Sequence, residues 1–577
     1  MTMWRLKKAL KRMKKRDRAE RRRDGSSSDS SDSSLSSDSD SSSLSSRSRS
    51  RSPPRDGKPK PRYHNGRPQF DEQTRAQQLG QNVKRPVVQE VTPTMRTLHA
   101  PRPKVVLKPR DEKRVASIAL NKEITDRNAT YKSILNLFDR RGAEFDGVNL
   151  STAVHRLGSR FARSRNIRTD GTVRQLIDRA TQLIGEGHAT YGARETANTA
   201  WGVTKMGLDA PALYAAVEKV VAEKPEAFKP QELANVVWAY ATAKIRAKPL
   251  YDAVARDAPY RMALFAPQNL ANVSWAYAKS GTAAPRLFES LAATCTEKID
   301  EFSPQHLANV SWAFATARAP CTRLFEAIEA RSLPTLEAFD IQALVNVVWA
   351  FATAQQPAPE LFDAVAAHAV RRMAEYQPQH MTNTVWAYAT ACHDAPDLFD
   401  AIAAGAPRQI DQFDPQGLAN GVWAFATAGH DAPHFFKVVA GAAERKLDYF
   451  KTRELASVAW SYRTAGLTAE NASLIDKLVK VAKRRVRDFD AQGVANTIWA
   501  ASHWRDGLRL LELWLDIYGE RVSSPDAAKL LRSFVTSVAA SRDRRGGKPV
   551  IQRRFNVRVP RARVPEKAST LRERSER

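Results

Sequence analysis

Two histidine–aspartate dipeptides, His393-Asp394 and His430-Asp431, are the residues of this chain that look most like a proton-transfer pair, since an imidazole beside a carboxylate is an ordinary unit of general base catalysis. Both stand in the same string, HDAP, and the two copies lie 37 residues apart, so duplication explains them better than chemistry does. No P-loop, HExxH, GxSxG or dinucleotide-binding glycine motif accompanies them. The three cysteines, Cys295, Cys321 and Cys392, make no CxxC or other metal-ligand spacing, and their odd number argues against a secreted disulfide framework. The chain is expected to bind rather than catalyse, to need no cofactor or metal, and to act on no small-molecule substrate. A reducing, intracellular compartment fits.

A second set of residues is more promising. Gln231, Asn235, Trp238 and Thr242 follow one another at intervals of four, three and four, which places them on one stripe of a helix. The stripe returns as Gln268, Asn272 and Trp275, then as Gln305, Asn309, Trp312 and Thr316, with further amide pairs at Gln342 and Asn346, Gln379 and Asn383, and Gln416 and Asn420. Asn stands three residues before the Trp in eight of nine repeats, Ser457 being the exception, while the residue three positions before that Asn drifts: Glu232, Asn269, His306, Ala343, His380, Gly417, Glu454, Gly493. Two physical roles produce such a pattern. Stacked amides can satisfy one another from repeat to repeat, with Trp filling the gap between helices. Alternatively, a ladder of amides and aromatic rings can hold a repeating polymer, with the drifting position, including Glu232, Asn269, His306 and His380, discriminating bases one repeat at a time.

The elements that must position this stripe are legible from the tryptophans. Trp201, Trp238, Trp275, Trp312, Trp349, Trp386, Trp423 and Trp460 are each 37 residues apart, and Trp499 follows after 39. Each block, as in FSPQHLANVSWAFATA at 302–317, reads as a helix start. Pro230, Pro267, Pro304, Pro378 and Pro415 take the first helical position, where a missing N–H costs nothing, and Ser303 and Asp414 stand before it as N-caps. A second apolar segment follows each block, in forms such as RLFESL and DLFDAI, so each repeat predicts two helices. No segment alternates with period two for long enough to compete as a strand. One such unit cannot bury its apolar face alone, so the expected fold is all-α, an α-solenoid or superhelix of stacked helix–turn–helix repeats.

The repeats degrade at both ends. FDGVNLSTAVHRLG at 145–158 resembles the block with His155 at the Trp position, and GLRLLELWLDIYG supplies a last helix. The expected organisation is a basic arm and linker over 1–115, degenerate capping repeats over 116–190, tandem repeats over 191–505, capping helices over 506–540 and a basic tail over 541–577.

The net charge of +29 is concentrated in the flanks: residues 1–115 carry 30 Lys and Arg against 13 Asp and Glu, and residues 541–577 carry 13 against 4. The repeat body is nearly neutral, so the flanks can grip phosphate without sequence preference while any selectivity belongs to the body. Residues 1–16 form a basic amphipathic helix, read either as a targeting segment or as a solvated arm. Ser26 to Ser52 is almost pure Ser and Asp ending in RSRSRS, a composition expected to stay disordered and open to phosphorylation. No apolar run is long enough to span a membrane.

The motif LANVVWAYATA at 233–243, with Asn three before Trp and Ala-x-Ala after it, resembles the helical repeats of organellar RNA-binding proteins. Those of the heptatricopeptide, FAST-kinase-like and RNA-editing substrate-binding complex families are similar, as are octotricopeptide repeats. The likeness covers about 145–505 and implies binding of single-stranded RNA in mitochondria or plastids, in transcript processing, stability or ribosomal RNA maturation, with other RNA-processing proteins as partners. Residues 541–577 are too short and too basic for the RAP domain that ends many such proteins, so no cleavage activity is implied. Two alternatives stay open: a protein-binding scaffold, favoured by the neutral body, and a nuclear RNA-processing factor, favoured by the Arg-Ser arm.

Overall fold

The structure is a computed structural model that describes residues 109–501, apart from 320, and 504–518. The basic helix expected at 1–16, the Ser/Asp and Arg-Ser arm, residues 519–540 and the basic tail lie outside the described residues.

Among the described residues there are helices and turns but no strand. Two leading helices come first: α1 (Pro109–Thr125) begins inside the segment expected to be linker, and α2 (Tyr131–Arg141) lies in the expected capping segment. The remaining helices alternate between two layers. First helices are α3 (Gly147–Arg160), α5 (Ala193–Met206), α7 (Pro230–Ala243), α9 (Pro267–Ser280), α11 (Pro304–Thr316), α13 (Ile341–Ala354), α15 (Pro378–Ala391), α17 (Pro415–Ala428), α19 (Thr452–Thr464) and α21 (Ala491–Ala500). Second helices are α4 (Gly171–Gly185), α6 (Pro211–Glu223), α8 (Lys248–Asp257), α10 (Pro285–Glu297), α12 (Thr322–Ser332), α14 (Pro359–Arg371), α16 (Pro396–Gly405), α18 (Pro433–Lys446), α20 (Ala472–Arg484) and α22 (Trp504–Tyr518). Successive first helices pack on one another, and theirs is the tighter of the two layers. The expected α-solenoid is therefore the observed fold.

Local chemistry sets where each first helix starts and stops. The five expected prolines are the first residues of their helices. Ser303 and Asp414 cap as expected, accepting from the backbone N–H of His306 at 3.4 Å and of Gly417 at 2.7 Å. Six residues after each Trp from Trp201 to Trp460 the chain turns left-handed at the helix end: glycine does so at Gly207, Gly281, Gly429 and Gly466, but Lys244, Arg318, Gln355 and Cys392 take the same positive φ in the other repeats. A short 3₁₀ turn, such as Ile299–Glu301 or Met373–Glu375, then leads from most second helices into the next block, a feature the sequence pattern did not announce.

Between repeats, the aromatic two residues after each Trp from Trp238 to Trp460 packs edge-on against an aromatic of the preceding second helix. The pairs Tyr251–Tyr277, Phe288–Phe314, Phe325–Phe351, Phe399–Phe425 and Phe436–Tyr462 have ring centroids 4.9–5.2 Å apart. Where that residue is Tyr, its hydroxyl donates to a backbone carbonyl of the preceding helix: Tyr277 to Tyr251 at 2.6 Å, Tyr388 to Phe362 at 2.6 Å and Tyr462 to Phe436 at 2.7 Å. A basic side chain at the end of the second helix makes a further tie, to the carbonyl that precedes the first helix of its own repeat. Lys298 reaches Phe265 at 2.9 Å, Lys446 reaches Phe413 at 2.7 Å and Arg485 reaches Phe450 at 2.6 Å. Many basic residues of the body thus hold the solenoid together.

The irregular spacings are absorbed in loops. The two extra residues before Trp499 fall between Gly466 and Ala472, and most of the excess between His155 and Trp201 falls in 161–170. The stripe geometry survives both. At the first of these junctions α3 and α5 approach so closely that a Cβ on Gly158 would lie 2.6 Å from the carbonyl oxygen of Gly202, which is why both helices carry glycine there.

Candidate functional site

The stripe lies along the first-helix layer. Leu, Val, Ala and the aromatic residue of each block point inward, and in α7 Leu233, Val236, Val237 and Tyr240 are fully buried. The Gln side chains, Gln231, Gln268, Gln305, Gln342, Gln379, Gln416 and Gln492, are exposed. The Asn and Trp of the same helices are half-buried, wedged between neighbouring repeats with one edge open.

The ring contacts join the tryptophans into two stacked runs, Trp201 to Trp312 and Trp349 to Trp423. Successive centroids are 6.3 Å apart for Trp201–Trp238, 6.5 Å for Trp238–Trp275, 6.3 Å for Trp275–Trp312, 6.1 Å for Trp349–Trp386 and 6.3 Å for Trp386–Trp423. His155 occupies the Trp position of the first repeat, as the sequence indicated, and stacks on Trp201 at 4.8 Å.

The amides do not behave as an internal ladder. No side-chain hydrogen bond within the described residues is made by Asn235, Asn272, Asn309, Asn346, Asn383 or Asn420, and the indole N–H groups of the ladder tryptophans likewise have no protein acceptor. The one amide pair that does form links Gln492 to Asn496 at 2.6 Å, within the last repeat. Mutual satisfaction of stacked amides, one of the two roles open from the sequence, is thus not how these residues are used here. They present a row of donors and acceptors with nothing in the protein to meet them.

The drifting position has a local job. Glu232 accepts from the backbone N–H of Lys229 at 2.8 Å, Asn269 from Ala266 at 3.2 Å, His306 from Ser303 at 3.4 Å, His380 from Gln377 at 3.3 Å and Glu454 from Lys451 at 2.8 Å. In the repeats where that position is Ala343, Gly417 or Gly493, an aspartate at the N-cap serves the helix start instead: Asp340, Asp414 and Asp490 each accept at 2.7 Å. Capping from one side or the other accounts for the drift, and it turns the four residues considered as base readers back onto their own backbone. The imidazoles of His306 and His380 accept through Nδ1, so the cap requires the neutral ring. Burial lowers both pKa values, against the opposing charge of Asp340 at His380.

This capping has an electrostatic consequence. The carboxylates at the starts of the first helices are engaged by backbone N–H groups, whereas four cations standing in stripe positions meet no carboxylate among the described residues. Arg194 and Arg453 replace the Gln, and Lys205 and Lys279 replace the Thr. Lys205 lies over two rungs of the ladder, 5.4 Å from the Trp201 ring and 5.0 Å from that of Trp238. Neither cation pair was singled out from sequence, although aligning the repeats column by column exposes both. Two hollows open on the same face. One, of about 570 Å³, is lined by Gln379, Asn383, Gln416 and Asn420. The other, of about 400 Å³, lies against Trp423, Trp460, Arg453, Ser457 and Asn496. Both sit where the drifting residue is glycine, Gly417 or Gly493.

Of the two His-Asp dipeptides, neither forms a pair with its sequence neighbour. His393 bonds Asp363 at 2.8 Å and His430 bonds Asp400 at 2.9 Å, in each case a residue of the preceding second helix. Among the described residues no group of His, Cys, Asp or Glu is placed to hold a metal ion, and no helix is long and apolar enough to cross a membrane.

These features define a helical-repeat protein with an open polar and aromatic ladder on one layer. Its repeats are similar to those of the RNA-editing substrate-binding complex 6 protein, whose family model matches residues 219–464 and, in a second overlapping match, residues 313–505. No curated protein matches the sequence. A chain from a homology model of the full-length AP-3 complex in an intermediate open conformation aligns over 74% of this chain and 90% of its own, at 8% identity and a TM-score of 0.22, too low to carry an argument.

Proposed function

We propose that this protein holds single-stranded RNA along its first-helix layer, as a non-catalytic member of an RNA-processing assembly of the editing-complex type in mitochondria or plastids. The observation that carries the reading is the row of unpaired Asn amides and indole N–H groups repeated at the six rungs from Trp238 to Trp423. A repeating ligand meets a repeating surface. The rung spacing of 6.1–6.5 Å is about twice the rise of a stacked base, about 3.4 Å, so a strand in register with the ladder is unstacked and extended, as bases bound by repeat proteins are. Arg194, Lys205, Lys279 and Arg453 meet phosphate, and the basic flanks add affinity without selectivity. The family match supports both the RNA and the assembly, since the matched family is described as substrate-binding in RNA editing.

The test is photo-crosslinking of the full chain to mixed-sequence single-stranded RNA, with duplex RNA as competitor, followed by mapping of the crosslinked peptides. Crosslinks at the peptides carrying Trp238, Trp275 and Trp386, resistant to duplex, are expected. Crosslinks confined to residues 1–108 and 541–577 refute the reading and leave the array as a protein scaffold. Imaging of the tagged full chain checks the compartment, with nuclear accumulation as the refuting result.

A further inference from the structure

One residue per repeat plugs the space between the edge-on aromatic pair and the following loop. It stands seven positions after the Trp and donates its backbone N–H to the backbone carbonyl of the aromatic residue of its own first helix: His393 to Tyr388 at 3.0 Å, His430 to Phe425 at 3.1 Å and Ala319 to Phe314 at 3.0 Å. The series reads Leu208, Ile245, Thr282, Ala319, Gln356, His393, His430 and Leu467. In the two histidine repeats the imidazole leans on a phenylalanine of the preceding second helix, Phe362 or Phe399, with centroids 5.3 Å apart, and bonds the adjoining Asp363 or Asp400. The smallest plugs, Thr282 and Ala319, fall in consecutive repeats, and there a cavity of about 920 Å³ opens.

Ala319 shares the backbone bond of the two histidines, so the wall around it is the one that receives an imidazole elsewhere. Phe288 and Phe314 make the same edge-on pair at 5.1 Å, and Glu289 stands where Asp363 and Asp400 stand. Glu289 has no ion pair or hydrogen bond among the described residues, and Arg318 and Arg323 line the same cavity without a carboxylate partner. The ring is missing while its seat, its aromatic wall and its carboxylate remain.

We propose that this cavity binds a nucleobase, of a free nucleotide or of an RNA strand, leaning on Phe288 and donating N–H groups to Glu289 while Arg318 and Arg323 meet its phosphate. A carboxylate offers only acceptors, two oxygens side by side, and guanine presents adjacent ring N–H and amino donors. The preferred base is therefore guanine. A cavity of this size suits such a ligand.

The test titrates the full chain with guanosine monophosphate, with inosine monophosphate, which lacks the amino group, and with single-stranded RNA containing either base. Expected are guanosine binding, inosine binding about tenfold weaker or more, and loss of both in Ala319→His, which seats the imidazole that the sister repeats carry. Glu289→Gln, an exposed change that leaves the fold alone, reduces the preference for guanosine over inosine. If free nucleotides fail but Ala319→His weakens guanosine RNA more than inosine RNA, the base comes from a strand and the proposal holds. Guanosine binding that neither variant alters, or no nucleotide binding together with RNA affinity indifferent to Ala319→His, overturns it. The strand-holding function and this cavity fail separately. RNA affinity that depends on the Asn ladder but ignores Ala319 sinks only the cavity, and nucleotide binding at Ala319 without RNA affinity sinks only the function.

Discussion

Changing Asn235, Asn272 and Asn309 to Ala, one, two and three at a time, separates binding from folding because these amides have no partner to abandon inside the protein. A neutral hydrogen bond to RNA contributes about 0.5–1.5 kcal/mol net, which is roughly two- to twelvefold in affinity per amide. Over three successive repeats, acting independently, the loss is about 10- to 2000-fold. Stability should move by no more than about 0.5 kcal/mol per site, the ordinary range for surface changes away from caps and cores. The assay is fluorescence anisotropy of the full chain with labelled single-stranded RNA at several salt concentrations, beside denaturant unfolding of the same samples. The basic flanks contribute a salt-sensitive background shared by every variant, so the ladder's share is the part that differs among them. Variants that keep full RNA affinity while losing about 1 kcal/mol or more of stability at each site refute the argument, since that is the signature of a satisfied structural amide.

Three further outcomes follow from the geometry. Tyr277→Phe removes the 2.6 Å bond to the Tyr251 carbonyl and should lower stability by about 1 kcal/mol, a tolerable change since Phe314, Phe351 and Phe425 hold the same position in sister repeats; denaturant unfolding reads it. Gln355→Gly and Lys244→Gly relieve left-handed residues at φ 53° and 58° and should each raise stability by about 0.5–1 kcal/mol, where a loss contradicts the capping account. Burial holds the pKa values of His306 and His380 below the ordinary 6.5, so the unfolded chain binds more protons between the two values. The stability contributed by these neutral rings is complete above about pH 6.5 and falls as pH drops through the folded-state values; replacing both with Asn, which caps at Asn269, should flatten a melting-temperature profile taken from pH 7.5 to 5.

The 37-residue ladder, the prolines at first helical positions and the two-helix repeat were all legible in the chain, because they rest on local rules: spacing fixes which residues share a helical face, and proline and caps fix where a helix begins. His155 was legible as a Trp substitute for the same reason. What each face meets is a matter between repeats. Whether Asn235 bonds its counterpart at Asn272, and whether His393 pairs with Asp394 or with Asp363 on the preceding helix, depends on how two repeats are set against each other, and periodicity leaves that distance and angle open. The drifting position shows the division most clearly. Its variety was visible in sequence and looked like a code, yet its job, a hydrogen bond to a backbone N–H three residues back, exists only once the chain has turned into the helix it caps. The cavity at Ala319 is likewise a small residue in the chain and an empty seat only when Phe288, Phe314 and Glu289 have been brought around it by packing.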